Sequence, residues 1–371
     1  MDKNTYRSTA LKMLDLVRCA VNGEVPSVQE IQPEELENLF KVCQRHILTA
    51  CTAYALESAG IRDQQFTQAK EKAIRKNIIL EAECKKILQK LEENQIWYIP
   101  LKGALLKNWY PKLGMRQMSD NDILCDNSKR PEIKEIMLEL GFTCEHFGVG
   151  NNDAYFKQPV CNFEMHGELF ALTQIGKLHT YYSDIKKRLL KDENNKYGYH
   201  FRTEDFYIYL IAHEYKHYAT GGIGVRSLLD TYIFMKKFGD SLDWDYLHSE
   251  LKQLEISNYE QQSRNLAMKF FSSELLTDEE LKQLDYYIFS GSYGTIENQV
   301  KNQSSDSRGK YILHRIFPSM EHYKTWYPWA YQHKILIPVA WVFRPIRGIF
   351  CRRKQLHAEL RSLTKKGEEE K

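Results

Sequence analysis

Residues 96–126 read IWYIPLKGALLKNWYPKLGMRQMSDNDILCD, and this stretch decides the fold. A short run of apolar, aromatic and β-branched residues, Ile96 to Leu101, ends at Lys102-Gly103 and turns directly into ALLKNWY. Strand, glycine turn, helix is the simplest arrangement for that pattern. After a loop carrying Pro111 and Gly114, a second strand is expected from Asn121 to Cys125. Downstream, RPEIKEIMLELGF reads as a helix closed by Gly141, and Cys161 to His166 as a further strand. Strands alternating with helices make residues 95–170 a small α/β unit.

Helical patterns surround this unit. PEELENLFKVCQRHILTACTAYALESAG, opened by Pro33-Glu34-Glu35 and closed by Gly60, reads as one helix. QQFTQAKEKAIRKNIILEAECKKILQKLEENQ reads as a second, with Ile74, Ile78, Leu80, Ile87, Leu88 and Leu91 near the helical period. After Thr203, four more helices are expected, from EDFYIYLIAHEYKHYA to NYEQQSRNLAMKFFSSE. The class is therefore α+β: a helical region 1–94, a small mixed-sheet α/β core 95–202, and a helical region 203–371. The Gly, Ser and Asn rich stretch 290–310 reads as a mobile loop, and KKGEEEK as a disordered tail.

The bulk numbers exclude more than they suggest. A chain of 371 residues with 43% apolar content can bury ordinary cores, and a net charge of +3 creates no field that points to nucleic acid. Eight Cys without a C-x-x-C pair read as reduced thiols of a cytoplasmic protein. The N-terminus MDKNTYRSTALKML lacks the apolar region of a secretory signal. The run Ile335 to Phe343 is broken by Pro338 and is about half the ~18 residues a span needs, so no transmembrane helix is expected. His322 to Ala358 holds seven Lys or Arg, no acid, and three of the six Trp. That mixture suits peripheral contact with an anionic membrane surface, or a helix pair packed on the core and broken at Pro338 and Pro345. No nucleic-acid-binding signature is present, so RNA or DNA as a partner is unsupported.

The chemistry concentrates at Asp120-Asn121-Asp122. Carboxylates at i and i+2 of a strand point the same way and can share Mg²⁺, or Mn²⁺ in its place; the bland alternative is a solvated turn. Lys102-Gly103 lies where a strand passes into a helix, a place where backbone N–H groups attract an anion and Gly103 admits a phosphate closely. Glu164 on the next strand supplies a third acid. His166, two residues on, shares its face and is read as a substrate-positioning or proton-carrying group, or as a buried, hydrogen-bonded His.

The strings YIPLKGALLKNWYPKLGMRQMSDNDILC, NFEMHGEL and YLIAHEYKHYATGGIGVRSLLDTYIF together resemble the uncharacterised nucleotidyltransferase family of the DNA polymerase beta-like nucleotidyltransferase superfamily, over about Leu39 to Arg344. In that superfamily the strand-helix turn usually reads Gly-Ser or Gly-Gly; here it is Lys102-Gly103-Ala104. The resemblance implies that Asp120 and Asp122 are the metal-binding pair and Glu164 the third acid, a position more often Asp. It implies Mg²⁺-dependent transfer of a nucleoside monophosphate from an NTP to the hydroxyl of a small molecule, sugar or protein, with Lys102, Gly103, Arg116 and His166 toward the nucleotide. A member that has lost turnover and only binds a nucleotide or partner is the rival reading, against which the three intact acids stand.

A second motif competes. His213-Glu214-Tyr215-Lys216-His217 matches the H-E-x-x-H pattern of zinc peptidases, in which two His on one helix face hold Zn²⁺ and the Glu is the base. A third ligand is lacking in the extended form, where Thr220 and Ile223 fill the Gly and last-His positions, and Glu250 or Glu255 is not distinctive. Phe206, Leu210, His213 and His217 fall on one stripe, so both His are expected to face inward and line or back the cleft.

Overall fold

A computed structural model of the chain describes residues 1–291 apart from 29, 30, 149 and 172–174, together with 294, 295, 298, 317, 318, 320, 323, 327–341 and 343. It opens with helices α1 (Lys3–Asn22), α2 (Pro33–His46), α3 (Thr49–Ser58) and α4 (Gln64–Glu93). The single helix expected between Pro33 and Gly60 is two, because Ile47 closes α2 in a left-handed conformation at φ 57°. That conformation is unfavourable for a β-branched residue. Tertiary packing imposes it: His46 is fully buried with Nε2 2.9 Å from the Tyr6 hydroxyl, and Leu48 is buried beside it.

The α/β unit is a mixed sheet of β1 (Tyr98–Pro100), β2 (Asn121–Cys125), β3 (Thr143–His146), β4 (Asn152–Lys157) and β5 (Cys161–His166), in the order β1-β2-β5-β4-β3. Only β2 and β5 run parallel; the other pairs are antiparallel. The expected strands at Asn121–Cys125 and Cys161–His166 fall on β2 and β5 with the same ends. β3 and β4 have no counterpart in the expectations, since TCEH and NDAYFK are short and polar and owe their strand form to the ladder that β4 makes along all of β5. The helix expected after Lys102-Gly103 shrinks to the four-residue α5 (Gly103–Leu106), and α6 (Arg130–Glu139) fills the crossover.

Alternation divides the sheet into two apolar faces. Ile123, Cys125, Phe163 and Met165 pack on Leu80, Ile87 and Leu91 of α4 and Ile133 and Met137 of α6. Ile99, Leu101 and Leu124 face the opposite way, toward α7 (Gly176–Tyr182), α8 (Thr203–Thr220), α9 (Arg226–Phe238) and α10 (Trp244–Gln253). A small hairpin, β6 (Leu189–Lys191) and β7 (Tyr199–Phe201), joins that second layer. The remaining helices α11 (Ser257–Phe271) and α12 (Asp278–Ser290) share one cluster with α1, α2, α3 and α9, through Met13, Leu39, Leu56, Leu229, Leu266 and Tyr287. Each such fully buried aliphatic or aromatic side chain contributes roughly 1.5–3 kcal/mol, so α9 is tied firmly to both layers.

Of the segment expected as a mobile loop, only 290, 291, 294, 295 and 298 are described, and the charged tail lies outside the described residues. Within the basic aromatic segment, a short helix spans Pro328–Gln332, and Tyr323, Ala330 and Ala340 form a small apolar cluster. Ile335 is 87% exposed, and Val339 and Phe343 are also exposed. No helix among the described residues is long and apolar enough to cross a membrane, and the seven described cysteines are free thiols.

Candidate active site

The parallel ladder between β2 and β5 sets Asp122 directly opposite Glu164. Two residues further along β5, His166 points to the same face, which is the face that α8 covers. His166 Nε2 is 2.9 Å from Asp122 Oδ1 and 3.5 Å from Glu164 Oε2. Asn152 on β4 donates to Glu164 Oε2 at 2.7 Å and fixes that carboxylate. One ligand atom each from Asp122, Glu164 and His166 lie within 4.8 Å of one another, the one group of three metal-capable side chains among the described residues.

This set differs from the expected trio, since His166 takes the place of Asp120. The reason is the backbone: Asp120 precedes the first paired residue of β2, whereas Glu164 and His166 are both held in the ladder. Asp120 is still close enough to feel the others. Burial, then the charges of Asp122 and Glu164, push its carboxyl above the usual range. Burial also works against ionised Asp122, but Lys102 and His166 outweigh it and hold that carboxyl below the usual range. His166 is likewise disfavoured as a cation by burial, yet its hydrogen bonds to Asp122 and Glu164 raise its pKa.

Lys102 is the cation nearest this cluster. Its Nζ lies 3.1 Å from Asp122 Oδ2 and 3.0 Å from His213 Nε2, so it spans the gap between the sheet and α8. The ammonium has only hydrogens to offer, which makes His213 Nε2 the acceptor. Burial, followed by the neighbouring charges of Lys102, Lys216 and His217, keeps His213 neutral and fit for that role. Lys102 also sits at φ 34°, ψ −106°, a backbone conformation that costs a non-glycine residue about 1–3 kcal/mol and that clusters at functional sites.

The expected anion cradle at Lys102-Gly103 is narrowed by its own surroundings. The amides of Ala104 and Leu105 already donate to the carbonyls of Leu101 and Lys102, and α5 is a single turn with little dipole. A Cβ on Gly103 would lie 2.6 Å from Arg116 Nη1 and 2.8 Å from Met118 Cε, so the glycine admits these side chains rather than a phosphate. Arg116 feels the charge of Asp120 but is bound to another carboxylate. Its Nε and Nη2 hold the two oxygens of Asp230 on α9 at 2.8 and 2.9 Å, and Tyr110 donates to the same carboxylate at 2.7 Å. The phosphate contact read for Arg116 is thus replaced by a buried ion pair.

The HEYKH segment also divides. His213 meets Lys102, and His217 Nε2 lies 3.2 Å from His213 Nε2 at the exposed end of the stripe rather than in the interior. Glu214 points elsewhere: it is 3% exposed and, among the described residues, reaches only Thr231 on α9, at 3.4 and 3.5 Å. Burial, then the charge of Asp230, raises its pKa well above the carboxylate range, so it is a neutral core acid. The geometry therefore lacks the base that a peptidase of this motif requires.

A family model described as uncharacterised nucleotidyltransferase matches residues 32–272, about two-thirds of the chain. The chain belongs to this nucleotidyltransferase family. The nucleotidyltransferase match takes in the whole sheet, Lys102 and the helices α8 and α9, and stops short of the Arg344 limit that the motifs suggested. No curated protein and no solved structure gives a significant match. Two residues around Asp122 and Glu164 escaped the reading of the sequence. Asn152 lies on a strand that the pattern does not reveal, and Lys216 sits in an unassigned position of HEYKH, although its i+3 spacing from His213 was a usable signal.

Proposed function

We propose that the protein transfers a nucleoside monophosphate from an NTP to the hydroxyl of an acceptor, a small molecule, sugar or protein, with release of pyrophosphate and dependence on Mg²⁺ or Mn²⁺. The observation that carries this reading is the register of Asp122 against Glu164 on parallel strands, with His166 completing a donor set within 4.8 Å. The donor chemistry fits a divalent cation: two carboxylates suit Mg²⁺ and Mn²⁺, and the imidazole leans the set toward Mn²⁺. His166 Nδ1 is buried without a hydrogen-bond partner among the described residues, which leaves the ring able to reorient toward a ligand.

Asp122, Glu164 and His166 would hold the cation, and the chemistry it supplies there is positive charge at the phosphate oxygens. Glu164 takes the proton of the acceptor hydroxyl as that oxygen forms its bond to the α-phosphorus. The bond from the α-phosphorus to the bridging oxygen of pyrophosphate breaks as the new one forms. The Lys102 ammonium offsets the charge that gathers on the departing oxygens, a contribution made in the transition state. Asp120 extends the acidic wall on the side facing Arg226, whose charge lowers the Asp120 pKa in part.

Incubation of the protein with each of the four α-phosphate-labelled NTPs, Mg²⁺ and a cell lysate identifies donor and acceptor together. A labelled product that fails to form in EDTA is expected. If no NTP passes its label to any lysate component with either Mg²⁺ or Mn²⁺, the proposal is wrong.

A further inference from the structure

We infer that Lys216 of α8, acting with Lys102, forms the cationic cradle for the polyphosphate tail of the nucleotide. The inference rests on the nucleotidyl-transfer reading above and places the tail against α8 rather than at the Lys102-Gly103 turn.

Three observations lead there. First, the Ala104 and Leu105 amides are already bonded within the turn, and the space beside Gly103 where a Cβ would stand is filled by Arg116 and Met118. Arg116 is committed to Asp230. Second, the face of α8 that carries Lys216 lies over the acids. His213, three residues earlier, reaches Lys102, which in turn touches Asp122, and the charges that act on Lys216 are those of Lys102, Asp122 and Glu164. Third, Lys216 is half-buried and forms no ion pair among the described residues; its ammonium lies 5.9 Å from the Phe170 ring centroid. A partly desolvated ammonium beside a second ammonium is unfavourable unless an anion joins them.

The charge pattern selects the class of anion. Two ammoniums flank carboxylates suited to a divalent cation, so a ligand must carry negative charge at several points along its length, as a di- or triphosphate does. Burial, then repulsion from Lys102, lowers the Lys216 pKa to about 8, which leaves it charged at neutral pH.

Inorganic tripolyphosphate is the probe, titrated calorimetrically into the full chain with MgCl₂. Lys216→Met is expected to weaken binding by at least about tenfold, the usual loss for a hydrogen bond to a charged group, while Lys216→Arg stays within about threefold of wild type. Lys216→Gln, which keeps the polar tip and the chain length, is expected to weaken binding as the Met variant does, and melting temperatures establish that each variant is folded. Binding by Lys216→Met and Lys216→Gln equal to that of wild type overturns this inference alone. If the wild type binds neither tripolyphosphate nor any NTP, the nucleotidyl-transfer reading falls and this inference with it.

Discussion

Replacing Arg116 by Met separates a structural role from a ligand-binding one. The guanidinium holds both Asp230 oxygens at 2.8 and 2.9 Å, and the two side chains are 8% and 7% exposed. Arg116→Met leaves the Asp230 carboxylate buried, with the Tyr110 hydroxyl still facing it at 2.7 Å. An uncompensated buried charge of this kind costs about 3–5 kcal/mol, a large part of the roughly 5–15 kcal/mol that holds a typical domain together. The double variant Arg116→Met/Asp230→Leu removes both charges and is expected to recover much of the loss, because apolar replacement of a whole buried pair is often near neutral. Urea unfolding followed by tryptophan fluorescence at neutral pH measures all three free energies and the coupling between the sites. The reasoning is refuted if Arg116→Met costs under about 1 kcal/mol yet abolishes nucleotide binding, for the guanidinium would then serve the ligand.

Other consequences are as direct. Gly103→Ala places a methyl 2.6 Å from Arg116 Nη1 and should destabilise by about 1–3 kcal/mol, with Met118→Ala restoring part; an unchanged melting temperature would contradict the packing described. Glu214 retains its proton in the folded state above the ordinary value of 4.5, so wild-type stability declines as pH rises from 4.5 toward the raised folded value. Glu214→Gln does not titrate, and its melting temperature relative to wild type should therefore climb between about pH 5 and 8; a difference independent of pH would show that Glu214 is not held neutral. If the exposed Ile335 and Phe343 belong to a membrane-contacting surface, the chain should sediment with phosphatidylglycerol vesicles but not phosphatidylcholine vesicles. Ile335→Glu/Phe343→Glu should then remove it, and equal sedimentation of the variant would rule that surface out.

How far the sequence reveals the site depends on the range of the interaction. β5 is legible because its apolar residues alternate between Pro159 and Gly167, and β2 because a short apolar run, Ile123 to Cys125, follows the loop of Pro111 and Gly114; the two-residue period then predicts that Glu164 and His166 share a face. The position of Lys102 beside the acids follows from the same strand-turn geometry. What is not legible depends on distant partners. Asp230, which takes Arg116 out of contention as a phosphate ligand, lies 114 positions away. β3 and β4 exist through their pairing with β5, and the break at Ile47 follows from the seating of His46 against Tyr6 in α1. Even HEYKH, complete as a pattern, divides into a cleft-facing His213 and a core Glu214 only once α9 packs against α8.

The most direct test of the account follows label transfer from an α-phosphate-labelled NTP and pyrophosphate release together, in the wild type and in Asp122→Asn and Glu164→Gln. With Mg²⁺ or Mn²⁺, the wild type is predicted to release one pyrophosphate per label transferred. Both variants should lose at least about 100-fold in rate while remaining folded, the scale of losing a principal charge-stabilising group. Full activity in either folded variant would contradict the assignment of the site to this pair of carboxylates.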